Sequence, residues 1–165
     1  TNALRELKMA NNGWPENVTA VFELVKYFKK LRITNPLVVS PDSGGKQRAK
    51  EFAKLLETDF LYLEKHRNRK TGQVNILTSK VSVKNRNIIL VDDMISTGGS
   101  IIKSTQFLKK QKCKRIFVAC THALLVNDAE KRIRNAGVSQ IISTNTIPRK
   151  TSKVDVSKII AESIL

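Results

Sequence analysis

Thirteen residues, Ile88-Ile-Leu-Val-Asp-Asp-Met-Ile-Ser-Thr-Gly-Gly-Ser100, constrain this chain more than any other stretch. Ile88 to Val91 are consecutive apolar residues, the pattern of a short strand buried on both faces. The carboxylates of Asp92 and Asp93 fall where such a strand ends. Ser96, Thr97, Gly98, Gly99 and Ser100 then form a small, hydroxyl-rich turn. An amphipathic helix follows, with Ile101, Ile102, Thr105 and Leu108 inward and Lys103, Lys109 and Lys110 toward water. Strand, Gly-rich turn and helix in succession predict an α/β fold built on a parallel sheet.

The same stretch suits a phosphorylated sugar. The first turn of a helix leaves its N–H groups unpaired, and its dipole favours an anion. Glycines let the backbone approach a phosphate closely, while Ser96, Thr97 and Ser100 add hydroxyl donors. Carboxylates beside such a nest would repel the phosphate, so Asp92 and Asp93 are expected to accept hydrogen bonds from neutral sugar hydroxyls. A bare strand-to-helix turn whose acids cap the helix is the plain alternative, and the full pattern is more specific than that.

A second unit of this kind precedes it. Leu37-Val38-Val39 reads as a buried strand, followed by Ser40-Pro-Asp-Ser-Gly-Gly45 and a helix through Ala49, Phe52, Ala53 and Leu56. Two such turns at the carboxyl ends of parallel strands imply a cleft with two anion sites. Asp42, Ser43, Gly44 and Gly45 are the candidates for a diphosphate, with Asp42 holding Mg²⁺ directly or through water. Lys46 and Arg48 support that site or belong to a solvated helix face.

Between the two units, the strand Asp59-Phe-Leu-Tyr-Leu63 runs into Glu64-Lys-His-Arg-Asn-Arg-Lys-Thr-Gly72. A charge run is usually an exposed loop. Its place between two sheet strands favours an arm that closes over phosphates and neutralises charge in a transition state. Lys65 and Arg67 alternate on an extended chain and are expected to act together. Val74–Leu77 and Val81–Val83 are expected to pair as a hairpin beneath the arm.

Elsewhere the pattern is structural. Val18, Val21, Phe22, Val25 and Phe28 are expected to share the inner face of a helix beginning near Glu16. Lys114 to His122 reads as a strand; His122 at its end stands at the edge of a site or, the preferred reading, is a satisfied structural histidine. Asn127 is expected to cap a short helix over 128–136 that stops at Gly137. Ile141-Ile142 begins a further strand, and Asp155 to Leu165 is expected to close the chain as a helix with Val156, Ile159, Ile160 and Ile164 inward. The expected architecture is a Rossmann-like α/β domain over 16–165, with about five parallel strands and a small hairpin; residues 1–15 read as a segment or linker.

Lys and Arg outnumber Asp and Glu by 30 to 14, a net charge of +16, which invites nucleic acid. The cations are nevertheless spread along the chain and not interleaved with aromatics as a stacking platform requires. Nucleotide ligands are therefore preferred over nucleic acid. No apolar run approaches the ~20 residues of a membrane span. Cys113 and Cys120 offer neither a disulfide framework nor metal-ligand spacing, which fits a reducing cytoplasm.

Taken together, Val39–Gly45 with Arg48-Ala49, Glu64–Arg67, Ile88–Ser100, Thr121–Leu124, Thr144–Pro148 and Val156–Ala161 resemble the carboxyl-terminal half of the ribose-phosphate diphosphokinases, the phosphoribosyl pyrophosphate (PRPP) synthetases. The resemblance spans about residues 17–165 and implies the type I phosphoribosyltransferase fold. It also implies transfer of the diphosphoryl group of ATP to the 1-hydroxyl of ribose 5-phosphate with Mg²⁺, in a homo-oligomer built from dimers. On that resemblance Ser96 to Ser100 seat the 5-phosphate, Asp92 and Asp93 bind the ribose, Asp42 to Gly45 meet the diphosphate, and Lys65 and Arg67 are catalytic. Ser96 stands where many members carry Asp, removing a charge near the phosphate. The family enzyme is about twice as long, so an amino-terminal half that supplies most adenine contacts is expected outside these residues. A PRPP-consuming phosphoribosyltransferase, which would need a base-binding hood, and a non-catalytic regulatory homologue are the rival readings.

Overall fold

The computed structural model describes residues 18–67, 74–77 and 81–163. In chain order the elements are α1 (Val21–Lys30), β1 (Pro36–Ser40), α2 (Lys46–Leu56), β2 (Phe60–Tyr62), β3 (Glu64–Arg67), β4 (Val74–Leu77) and β5 (Asn87–Ile95). They continue with α3 (Gly99–Lys110), β6 (Ile116–Ala123), α4 (Ala129–Asn135), β7 (Gln140–Thr144), β8 (Ser152–Val154) and α5 (Ser157–Glu162).

The apolar runs become the centre of a six-stranded sheet in the order β2-β1-β5-β6-β7-β8, parallel throughout. Side chains alternate across it, as the pleat requires. Ile88, Leu90, Ile116, Val118 and Cys120 face one core with Ile101 and Leu108 of α3 and Ile133 of α4. Ile89, Val91 and Ala119 face the other, with Leu24 and Phe28 of α1 and Phe52 of α2. Phe28 and Phe52 meet edge to face with centroids 5.6 Å apart. Both rings are fully buried, each worth roughly 1.5–3 kcal/mol in area removed from water.

From β1 the chain winds one way, through α2 to β2, and from β5 the other way, through α3 to β6. The turns after β1 and β5 therefore leave neighbouring strands for opposite faces. The crevice between them is a topological switch point, where open α/β sheets bind ligands.

The structure corrects several expectations. The sheet has six strands because Ser152–Val154 adds an edge strand; it is short and contains Ser and Lys, so no apolar run announces it. β5 does not stop at Val91 but pairs with β6 as far as Ile95↔Ala123. The hairpin joins β3 to β4, with Lys65↔Ile76 and Arg67↔Val74. Residues 81–83 form no strand, and the apolar side chain of Val83 goes into the core instead. Helix α1 is turned so that Leu24, not Phe22, completes its inner face. Phe22 and Val18 are exposed, and Lys26 Nζ lies 4.4 Å over the Phe22 ring.

At α4 the capping position falls to Asp128, in the left-handed region with no side-chain cap, not to Asn127. The last helix starts only at Ser157, with Val156 in the capping position and Asp155 Oδ1 just before it accepting the Ser157 N–H (2.8 Å), and Ile160 faces out. The turn cluster before Glu16, the cations of 68–70 and Ile164 lie outside the described residues. Among the described residues no helix is long and apolar enough to cross a membrane.

Candidate active site

At the carboxyl end of β5, Asp92 and residues 94–101 line a cavity of about 190 Å³. Gly98 makes the turn possible for two reasons. Its φ of +75° is a left-handed conformation, and a Cβ there would lie 2.7 Å from Ile133 Cδ1 and 2.9 Å from Cγ1. Helix α3 starts with no side-chain cap on Gly98 and no acid in its first turn, so the positive end of its dipole faces the cavity without a neighbouring carboxylate of its own. Ser96, Thr97, Gly98, Gly99 and Ser100, the expected phosphate seat, all line it.

Because β5 continues past the acid pair, Asp92 and Asp93 lean to opposite faces of the strand. Asp92 lines the cavity at the end of β5. Asp93 lines a second cavity of about 390 Å³ with Arg48, Glu51, Thr121 and His122. The Asp93 N–H donates to Asp92 Oδ1 (2.9 Å), and the Met94 N–H donates to Asp93 Oδ1 (2.8 Å).

Arg48 reaches both acids, Nη2 to Asp93 at 2.9 Å and Nη1 to Asp92 at 3.8 Å. Burial, reinforced by the neighbouring Asp93 carboxyl, raises the Asp92 pKa to about 6. Burial also pushes Asp93 up, but the hydrogen bond from Asp92, the Arg48 charge and the Met94 N–H outweigh it and hold that carboxyl below its ordinary value. Such a pair presents acceptor oxygens to hydroxyls above pH 6. Cys120, beside Asp92 in the sheet register, is no nucleophile: burial, aided by the Asp92 charge, pushes its thiol to about 12.

The turn after β1 is braced from within. Asp42 Oδ1 accepts the N–H groups of Gly44 (3.0 Å) and Gly45 (3.3 Å), and Ser40 Oγ donates to the Asp42 carbonyl (2.7 Å). A Cβ on Gly45 would collide with Ser40 Oγ. Lys46 stacks over the Tyr62 ring at 4.7 Å. Among the described residues no group of three or more His, Cys, Asp and Glu side chains could cage a metal ion. A single carboxylate such as Asp42 fits magnesium nonetheless, since that ion keeps several waters and takes its other oxygens from phosphates.

The structure thus gathers Asp92 and Ser96 to Ser100 about one cavity. Arg48 ties the acids to the first turn of α2, next to Asp42 to Gly45. Lys65 and Arg67 occupy alternate positions of β3 in the separate hairpin.

Arg48, expected at the Asp42 turn or on a solvated helix face, and Arg132 and Ile133 of α4 act where the sequence did not place them. Arg48 serves the acid pair; a cation in a first helical turn, where the dipole disfavours it, was the available signal. Arg132 Nη2 donates to the Thr97 carbonyl at 3.0 Å, and Ile133 packs on Gly98. Nothing in the sequence of α4 marks either. His122 is half-buried and satisfied, its Nδ1 2.9 Å from Thr146 Oγ1, and it also lines the Asp93 cavity, so both readings of it hold.

The model of the phosphoribosyl transferase domain matches residues 20–152, and the chain belongs to that family. Among curated relatives, the ribose-phosphate pyrophosphokinase of Sulfolobus acidocaldarius is 42% identical over 137 residues, 81% of this chain and 47% of that protein. The crystal structure of the phosphoribosylpyrophosphate synthetase from Mycobacterium smegmatis superimposes with a TM-score of 0.73 at 27% identity, covering 88% of this chain and 49% of that one. The adenine phosphoribosyltransferase (APRTase) of Giardia lamblia, at 18% identity and a TM-score of 0.62, shares the fold. The type I phosphoribosyltransferase fold is thereby established. The chain spans about half the length of the curated relatives it matches.

Proposed function

We propose that this chain is part of a ribose-phosphate diphosphokinase acting in the cytoplasm as a homo-oligomer. The observation that carries the reading is the cradle after β5, where the start of α3 and an acid pair frame one cavity at the switch point of the sheet. The names of the relatives support it.

On this reading the 5-phosphate of ribose 5-phosphate sits on the turn from Ser96 to Ser100, and its hydroxyls bond to Asp92 and Asp93. The 1-hydroxyl oxygen forms a bond to the β-phosphorus of ATP. The bond from that phosphorus to the α–β bridging oxygen breaks, AMP leaves with the oxygen, and the hydroxyl proton passes to water. Asp42 would hold magnesium, directly or through water, and the ion would screen the charge of the diphosphate. Lys65 and Arg67 would offset charge building on the transferred group, the electrostatic task that dominates phosphoryl transfer. A second half, homologous to the rest of the longer relatives, would supply the adenine contacts.

Two measurements test this. Calorimetry should detect ribose 5-phosphate binding to the 165-residue chain, and AMP release from ATP should depend on ribose 5-phosphate once the second half is present. Consumption of PRPP with a free base, without AMP formation, would transfer the assignment to the phosphoribosyltransferase activity.

A further inference from the structure

The carbonyl groups under the phosphate cradle reveal how its donors are aimed. Ile95 O accepts from the Leu125 N–H (3.0 Å), and Ser96 O accepts from the Val126 N–H (3.1 Å). Thr97 O accepts from the Arg132 guanidinium (3.0 Å). Three consecutive carbonyls are thus drawn toward the β6–α4 connection. In a trans peptide the N–H points opposite to the C=O, so the N–H groups of Ser96, Thr97 and Gly98 are aimed away from that connection. Neither the Thr97 nor the Gly98 N–H donates to any acceptor among the described residues.

The connection itself is backbone held under strain. Leu125, Asn127 and Asp128 all have positive φ, at 48°, 51° and 55°, the kind of cost that persists where the surroundings over-determine it.

Two of the three carbonyls are held by main chain. The third, on the Thr97–Gly98 peptide, is held by one side chain. That peptide borders a glycine, which accepts φ of either sign, so local sterics do not stop it turning over. Arg132 makes no ion pair with any described residue.

We infer that Arg132 is a positioning residue: by holding the Thr97 carbonyl it locks the Thr97–Gly98 peptide with its N–H toward the phosphate. The inference rests on the cradle's being the phosphate site. Turning the peptide over would replace a donor with a carbonyl oxygen facing an anion. Loss of one charge-assisted hydrogen bond corresponds to about tenfold to a hundredfold in affinity.

The test uses Arg132→Ala, with Arg132→Met, which keeps the aliphatic stem, should the alanine variant not fold. Arg132→Lys is the rescue. Backbone NMR shifts of Thr97 and Gly98 are read first in the ligand-free chain, then during titration with ribose 5-phosphate. Positioning requires that the variant shift both residues before any ligand is added and weaken binding at least tenfold, with lysine restoring both. Weakened binding with unmoved ligand-free shifts would mean that the guanidinium acts on the phosphate directly, and overturns the inference. Unchanged affinity overturns it as well. A wild-type chain that ignores ribose 5-phosphate would instead refute the reading of the cradle itself, and this inference with it.

Discussion

Gly98→Ala isolates the physics of the cradle. Alanine must adopt the φ of +75° that the turn imposes, which costs roughly 1–2 kcal/mol for an L-residue. Its Cβ would also stand 2.7 Å from Ile133 Cδ1 and 2.9 Å from Cγ1, closer than packed carbons come. Ile133 is fully buried, so it cannot swing into solvent, and such overpacking costs about 1–3 kcal/mol. Together the expected loss is about 2–5 kcal/mol, or roughly 4–20 °C in melting temperature for a domain of this size. Chemical denaturation followed by circular dichroism measures it. The two contributions separate in a double-mutant cycle with Ile133→Val, which removes the nearest atom and by itself costs about 0.5–1.5 kcal/mol. In that background the alanine penalty should shrink by about 1 kcal/mol, because the residues are in contact. A penalty below about 0.5 kcal/mol, or one identical in both backgrounds, would refute the reasoning.

The remaining predictions concern the charged groups. The Asp92 pKa lies near 6 against an ordinary 3.8, so the folded state holds its proton more tightly than the unfolded state. Between those values this group makes stability fall as pH rises, and above about 6 its effect is constant. Asp92→Asn should flatten that slope in urea midpoints while weakening ribose 5-phosphate binding about tenfold or more by calorimetry; unchanged sugar affinity would remove Asp92 from the site. Asp93, held below the ordinary value, contributes in the opposite sense, its stabilisation being lost only in more acid solution. Arg48→Ala should raise the Asp93 pKa, read by carboxyl NMR, yet change stability by no more than about 1 kcal/mol because the pair is partly exposed. In the complete active site, Lys65→Ala should lower AMP release about 10²-fold or more with ribose 5-phosphate affinity retained; equal losses in both would contradict a role confined to the transition state.

The parts legible in the sequence are those written in local pattern. Ile88–Val91 is apolar on both sides of a pleat, and the Gly-rich turn needs only neighbouring residues to be recognised. The edge strand Ser152–Val154 was not legible, since an edge strand need not be apolar and its evidence is a partner eight or more residues away. The hairpin is hidden in the sequence because β3 draws its strand character from pairing with β4, not from its own charged residues. Helix α1 shows a subtler limit. Val18 and Phe22 fit a helical stripe, but which stripe is buried depends on where the sheet lies, and Leu24 took the place given to Phe22. Arg132 and Ile133 define the far side of the cradle from a distant helix, and only the fold brings them there.

The same topology accounts for part of the basic charge. In parallel α/β units the helices run against the strands, so their amino ends gather at the carboxyl edge of the sheet and their carboxyl ends at the opposite edge. The last turns carry Lys29 and Lys30 in α1, Lys54 in α2, Lys109 and Lys110 in α3, and Arg134 in α4, while Arg132 of that same turn reaches the Thr97 carbonyl instead. There they complement the negative ends of the helix dipoles. Arg32, Lys114 and Arg115 line a cavity that also includes Asn87, the first residue of β5, and so lie at that far edge as well. By contrast, among the described residues no Lys or Arg lines the cradle between Asp92 and Ile101. On the proposed reading, a phosphate there would be held by aimed N–H groups and the positive end of α3, short-range donors that fix an orientation, whereas mobile lysines would supply only a diffuse field.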